Sequence, residues 1–278
     1  MRVLFITLFS VVSLFTTTTF ANVSNYGDIT YEKAINVSGK QRYLSQKLCK
    51  EALLSFKNGT PLNANAQLMA SQLIFKRHHD LLLSNATNDE IKDKLENVQS
   101  SFDKLQNHLK NDNATYAAEL VYMQSKTILR RCQEVVDEII KSSVAENSSL
   151  STTTEEVADF AHLINVSGKQ RLLSQQIAMF YIASTGGFLK RPVETEEVLA
   201  VMDAFDNSLT ELLISNYNDE KTLGGLSTVM LKWSTLQEKR SQIEDGTLDI
   251  AALNKDCDFF LDCFNKITGM YETKLTRE

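Results

Sequence analysis

Proline and glycine are scarce in this chain, with 2 and 10 residues among 278. Leu, Ala, Lys, Glu, Gln and Asn dominate instead, a composition that favours long helices joined by short connections. Basic residues never gather into a patch but alternate with acidic ones, and the formal net charge is −6. That balance argues against nucleic acid as a partner. Beyond residue 21 no apolar run approaches the roughly 20 residues a membrane-spanning helix needs. The chain has no nucleotide-binding loop, no GxGxxG, no haem-attachment motif and no Ser-His-Asp pattern, so no catalytic residue and no enzyme activity are expected. His78 and His79 are adjacent and diverge on a helix, while His108 and His162 have no Cys, Asp or Glu at ligand spacing. Neither a metal site nor a cofactor is expected.

The first 21 residues carry one charge, Arg2, and then an apolar and hydroxyl run closing on Ala21. This pattern reads as a secretory signal peptide, with an uncleaved inner-membrane anchor as the weaker alternative. The expected location is therefore periplasmic or secreted. Its removal would leave 28 basic and 35 acidic residues, a net −7. Four cysteines, Cys49, Cys132, Cys257 and Cys263, would then meet an oxidising compartment. Cys257 and Cys263 point about 120° apart on one helix. Measured from a shared bundle end, Cys49 lies about 12 Å along its helix and Cys132 about 28 Å along its own, level with Ser38 and Gly39. No disulfide tolerates such a gap, so free thiols are expected.

Internal repetition sets the organisation. Residues 35–46 read INVSGKQRYLSQ and residues 164–175 read INVSGKQRLLSQ, differing only at Tyr43 and Leu172. Weaker matches continue at nearly the same offset, including Leu82-Leu83 with Leu212-Leu213 and Asn88-Asp89-Glu90 with Asn218-Asp219-Glu220. Apolar steps of four and three run through Ile91, Leu95, Val98, Phe102, Leu105 and Leu109, and again through Val121, Ser125, Ile128, Cys132, Val135 and Ile139. Leu253, Cys257, Phe260, Phe264, Ile267 and Tyr271 repeat the rhythm. Thr87 with Glu90 and Thr153 with Glu156 read as capping boxes; Asn58-Gly59 and Thr60-Pro61 read as a stop and a start. Helices are predicted at about 31–57, 61–85, 88–111 and 114–146, then at 154–185, 192–216, 219–244 and 247–275. The expected fold is all-α: two tandem up-down-up-down four-helix bundles. The division is a signal peptide at 1–21, a first four-helix domain at 22–148 and a second at 149–278.

The two INVSGKQR segments resemble the opening helix of the type IV pili methyl-accepting chemotaxis transducer N-terminal domain (PilJ-type), a domain related to the periplasmic sensor region of NarX-type nitrate/nitrite kinases. The shared pattern is N-x-x-G-x-x-R-x-x-S. In those sensors the segment binds a small oxyanion between parallel first helices of a dimer. The resemblance therefore implies ligand-binding roles for Asn36, Gly39, Arg42 and Ser45, and for Asn165, Gly168, Arg171 and Ser174. It also implies an exported sensory protein that captures a small molecule, an oxyanion such as nitrate or nitrite, and signals through a separate membrane receptor or sensor kinase. The competing reading is a structural protein whose helices pair with a PilJ-type receptor or an envelope complex. Lys40, Gln41, Lys169 and Gln170 depart from the sensor pattern.

The residues themselves are compatible with such a site. Asn36, Gly39 and Arg42 step by three along one helix face, and Ser45 and Gln46 extend it. A helical glycine costs about 1 kcal/mol against alanine, so close helix approach or ligand access should compensate. A planar guanidinium suits a flat oxyanion. Tight packing with the arginine satisfying helix ends or pairing with a neighbouring carboxylate is the plainer alternative. The polar stretch NSSLSTTT, residues 147–154, leaves two arrangements open. If it turns back, the two motif helices run parallel in one chain with Arg42 and Arg171 at one height; if it continues as helix, the bundles stack end to end and each motif needs a second chain, as in a homodimer.

Overall fold

A computed structural model describes residues 25–56, 64–148 and 154–275. Helices make up 85% of it. The expected signal peptide, the Asn58-Gly59 and Thr60-Pro61 signals, Thr153 and the middle of the NSSLSTTT stretch lie outside the described residues.

The chain opens with a two-stranded hairpin, β1 (Asn25–Tyr26) and β2 (Ile29–Thr30), paired antiparallel. Gly27 turns it at φ +62°, a conformation that suits glycine. Tyr26 donates its hydroxyl to the Leu82 carbonyl at 3.0 Å, and Asp28 donates its backbone N–H to Asn85 Oδ1 at 2.7 Å. The sequence reading missed this hairpin, whose only signal is the short Gly27-Asp28 turn.

Four helices follow: α1 (Tyr31–Phe56), α2 (Ala64–Asn85), α3 (Asp89–Leu109) and α4 (Ala114–Ser148). The later half contains α5 (Thr154–Thr185), α6 (Thr195–Leu213), α7 (Glu220–Gln237), α8 (Arg240–Glu244) and α9 (Ile250–Leu275). The predicted stripes are buried: Ile91, Leu95, Val98, Phe102 and Leu105 on α3, Val121 to Ile139 on α4, and Leu253 to Tyr271 on α9. Phe75 stacks on Phe102 in the first half, and Phe205 packs against Trp233, Phe260 and Phe264 in the second.

Two local expectations need correction. The cap of α3 is Asn88, not Thr87: its extended backbone aims Oδ1 at the Ile91 N–H, 2.9 Å away. Asp219 does the same for Thr222 on α7. The helix expected over 219–244 breaks after Gln237, where Lys239 N–H bonds to the carbonyl three residues back, Leu236, at 3.0 Å. Arg240 then ties the short α8 to Asp203 on α6 at 2.8 Å.

The chain directions decide the arrangement. Tyr31 bonds Glu146, and Gln46 bonds the Ser125 carbonyl, so α1 and α4 are antiparallel. Arg171 reaches Asn265 and Tyr181 the Leu248 carbonyl, so α5 and α9 are antiparallel. Asn36 bonds Glu272, and Lys50 pairs with Asp258 at 2.9 Å, so α1 is antiparallel to α9 as well. Hence α1 and α5 run parallel, side by side, in extensive contact along their lengths. α4 and α5 then run antiparallel, which excludes the continuous-rod alternative. The core is one continuous apolar cluster spanning both halves.

This central position explains the motif's polarity. α1 touches α2, α4, α5 and α9, and 20 of its 26 residues are buried. Apart from a strip through Lys33, Lys40 and Lys47, α1 is enclosed by its neighbours, so most of its polar groups lie inside, where a hydrogen-bond partner offsets the cost of burial. Gln46 and Gln175 find one by donating to the Ser125 and Cys257 carbonyls. The four cysteines are free thiols.

Candidate functional site

The motif arginines meet at the seam between α1 and α5. An arginine side chain on a helix leans toward the N-terminus, so in a parallel pair at equal height each guanidinium reaches residues earlier on the opposite helix. Arg42 Nη1 donates to Asn165 Oδ1 at 3.0 Å, and its Nη2 donates to the Asn165 carbonyl at 3.2 Å. Reciprocally, Arg171 Nη1 donates to Asn36 Oδ1 at 2.9 Å. Each also touches an amide on the outer helix of its own half: Gln133 Oε1 at 2.7 Å from Arg42, and Asn265 Oδ1 at 3.3 Å from Arg171.

The glycines make room for these groups. A methyl added at Gly168 would lie 3.0 Å from Arg171 Nη2 and 3.5 Å from Arg42 Nη2; one added at Gly39 would lie 3.1 Å from Arg171 Nη2. The two Nη2 atoms, bracketing one point, are therefore at most about 6.5 Å apart. Two unit charges at about that separation repel by roughly 2.5 kcal/mol at an effective dielectric constant near 20.

Both arginines are buried, at 2% and 0% exposure, and no carboxylate forms an ion pair with either among the described residues. The nearest acids act through amides: Gln133 donates to Asp137 at 2.6 Å, and Asn36 donates to Glu272. Burial lowers the pKa of both guanidinium groups to about 10, and Arg42 adds to the lowering at Arg171. Both remain cations at neutral pH. Lys40, half-buried, is lowered by burial and then by Arg171, which adds a third positive charge to this side of the seam. Lys169, its counterpart, is exposed.

Of the eight residues singled out from the sequence, the structure brings six together: Asn36, Gly39, Arg42, Asn165, Gly168 and Arg171. Ser45 and Ser174 stand apart. Each donates to the carbonyl three residues back, that of Arg42 and of Arg171, at 2.7 and 2.9 Å. Sequence reasoning missed Gln133, Asn265, Glu272 and Tyr43. The Tyr43 ring lies under Arg171, with its centroid 5.5 Å from Cζ, and the signal was available, since Tyr43 is the one position where the two motif copies differ. Gln133 and Asn265 sit in ordinary amphipathic helices with nothing to mark them.

The arrangement offers charge-assisted donors to a small anion. Among the described residues no group of three or more His, Cys, Asp or Glu is placed to hold a metal ion, and no helix is long and apolar enough to cross a membrane.

Residues 31–125 match the family described as the type IV pili methyl-accepting chemotaxis transducer N-terminal domain. The matched segment runs from the start of α1 into α4 and contains the first motif copy. It supports a PilJ-type domain there and a sensory or signalling role. No curated protein and no solved structure matches the chain.

Proposed function

We propose that the protein is an exported sensory module that captures one small oxyanion between α1 and α5 and reports it to a separate membrane partner. The observation that carries this reading is the pair of buried guanidinium groups, Arg42 and Arg171, facing each other over Gly168 with no carboxylate paired to either among the described residues. An anion between them would relieve their repulsion and gain charge-assisted hydrogen bonds. Because both groups are enclosed, entry of the anion must shift the α1–α5 seam. Binding is thereby coupled to a movement of two centrally packed helices, which is what a sensor requires.

Thermal unfolding of the chain lacking its first 21 residues, with nitrate, nitrite, sulfate and small organic acids, tests the proposal. A ligand that binds only the native state raises the melting temperature, increasingly as its concentration exceeds the dissociation constant. Uniform melting temperatures across the panel would overturn it. A second reading, an interaction protein that pairs through its helices with an envelope complex, draws support from the outward face of α2, where Met69, Leu73 and Ile74 are exposed. Recovery of a stable partner from periplasm, with no oxyanion effect, would favour that reading.

A further inference from the structure

The two arginines share a motif but not a bonding state. Arg42 has both terminal nitrogens engaged, by Asn165 twice and by Gln133, and only Nε lacks a partner. Arg171 engages Nη1 alone; its Nε and Nη2 are both buried without a partner among the described residues. Those two nitrogens form one edge of the planar guanidinium, with N–H bonds directed in parallel. That edge is the fork that matches two oxygens on a single trigonal centre. A buried unsatisfied donor costs about 1–3 kcal/mol, and more on a charged group, so an entirely unpaired fork is an expensive feature for a structural arginine. The Tyr43 ring under the guanidinium orients that edge, and Leu172 offers no such platform at the matching place in α5.

Resting on the oxyanion reading above, we propose that the site is functionally asymmetric. Arg171 grips the anion through its Nε and Nη2 edge, oriented by Tyr43, whereas Arg42 is a positioning residue that fixes Asn165 and the spacing of the seam. The ligand class follows from the fork: an anion with two oxygens on one planar centre, supplied either by nitrate or by the carboxylate of a small organic acid. A monatomic anion cannot use both donors equally well.

Calorimetric titration of the chain lacking its first 21 residues with sodium nitrate, sodium acetate and sodium chloride tests this. One nitrate or one acetate should bind per chain, more tightly than chloride, and the tighter of the two identifies the source of the oxygens. Arg171→Lys keeps the charge but removes the fork, and should weaken binding by roughly 100-fold or more, against less than about 10-fold for Arg42→Lys. Tyr43→Leu should weaken it by roughly 5-fold, while Leu172→Tyr should have little effect. Circular dichroism checks that each variant folds, and if the lysine variants do not, the Tyr43 and Leu172 pair decides. Equal losses from Arg42→Lys and Arg171→Lys, or from the Tyr43 and Leu172 changes, would overturn the asymmetry and leave the oxyanion reading standing. Chloride binding as tightly as nitrate and acetate would overturn the fork. A wild-type chain that binds neither oxyanion ends both.

Discussion

The INVSGKQR segments of α1 and α5 are identical for eight residues, yet Arg42 and Arg171 end in different chemistry. Arg42 holds both the side chain and the backbone of Asn165, whereas Arg171 holds only the side chain of Asn36, whose amide turns away to Glu272. A duplicated sequence thus yields a pseudo-symmetric seam in which one cation is locked and the other retains a free edge. Local sequence cannot produce that difference. The neighbours do: Gln133 against Asn265, and Tyr43 against Leu172.

The sharpest way to break the comparison is to replace each arginine by an apolar residue of similar length. Arg42→Met strands Asn165 Oδ1 and Gln133 Oε1 in the interior and should destabilise the fold by about 2–4 kcal/mol. Arg171→Met also strands two acceptors, Asn36 Oδ1 and Asn265 Oδ1, but it removes a buried cation with two unpaired donors, so it should cost less, about 0–2 kcal/mol when no anion is present. Urea unfolding followed by circular dichroism reads both. Equal losses would mean that the free edge of Arg171 carries no energetic penalty.

A smaller contrast lies in the glycines. Gly168→Ala presses on both guanidinium groups, so its gain in helix propensity should be outweighed by about 1–2 kcal/mol. Gly39→Ala presses on Arg171 Nη2 alone, the nitrogen free to shift, and should change stability by less than about 0.5 kcal/mol. The same unfolding experiment distinguishes them, and a larger loss at Gly39 would contradict the placement of Arg42.

The smallest effect concerns His78 on α2. Burial, and then the positive charges of Lys40, Arg171 and Lys33, depress its pKa from 6.5 to about 4. The unfolded chain therefore takes up this proton first, and the stability contributed by the neutral ring is present above pH 6.5 and lost as pH falls toward 4. Melting temperature should decline across that window, and less steeply in His78→Gln. Parallel curves for the two proteins would remove His78 as the cause.

Much of the fold was legible in the chain. Steps of four and three placed α3, α4 and α9 correctly because each has one face against the core and one in water, and that contrast writes itself into the sequence. The hairpin at Gly27, the cap at Asn88 and the break after Gln237 were missed or misplaced because single contacts decide them: Asn85 with Asp28, Oδ1 with the Ile91 N–H, Arg240 with Asp203. In the site, the repeat flagged Asn36, Gly39, Arg42 and their counterparts. It also flagged Ser45 and Ser174, which bond only within their own helices. Spacing by three puts a hydroxyl on the right face, but the carbonyl of its own preceding turn is a nearer acceptor than anything across the seam.

The sequence by itself determined that the chain is helical, that it contains a duplicated polar motif, and which side chains form one stripe, because helix periodicity and repetition are local properties of the chain. Only the tertiary structure decided that the two stripes face each other at one height in a single chain. That outcome depends on the direction α5 takes after α4, set by contacts such as Lys50 with Asp258 and Asn36 with Glu272 between residues more than 200 positions apart, and no local pattern encodes a balance of packing over that distance.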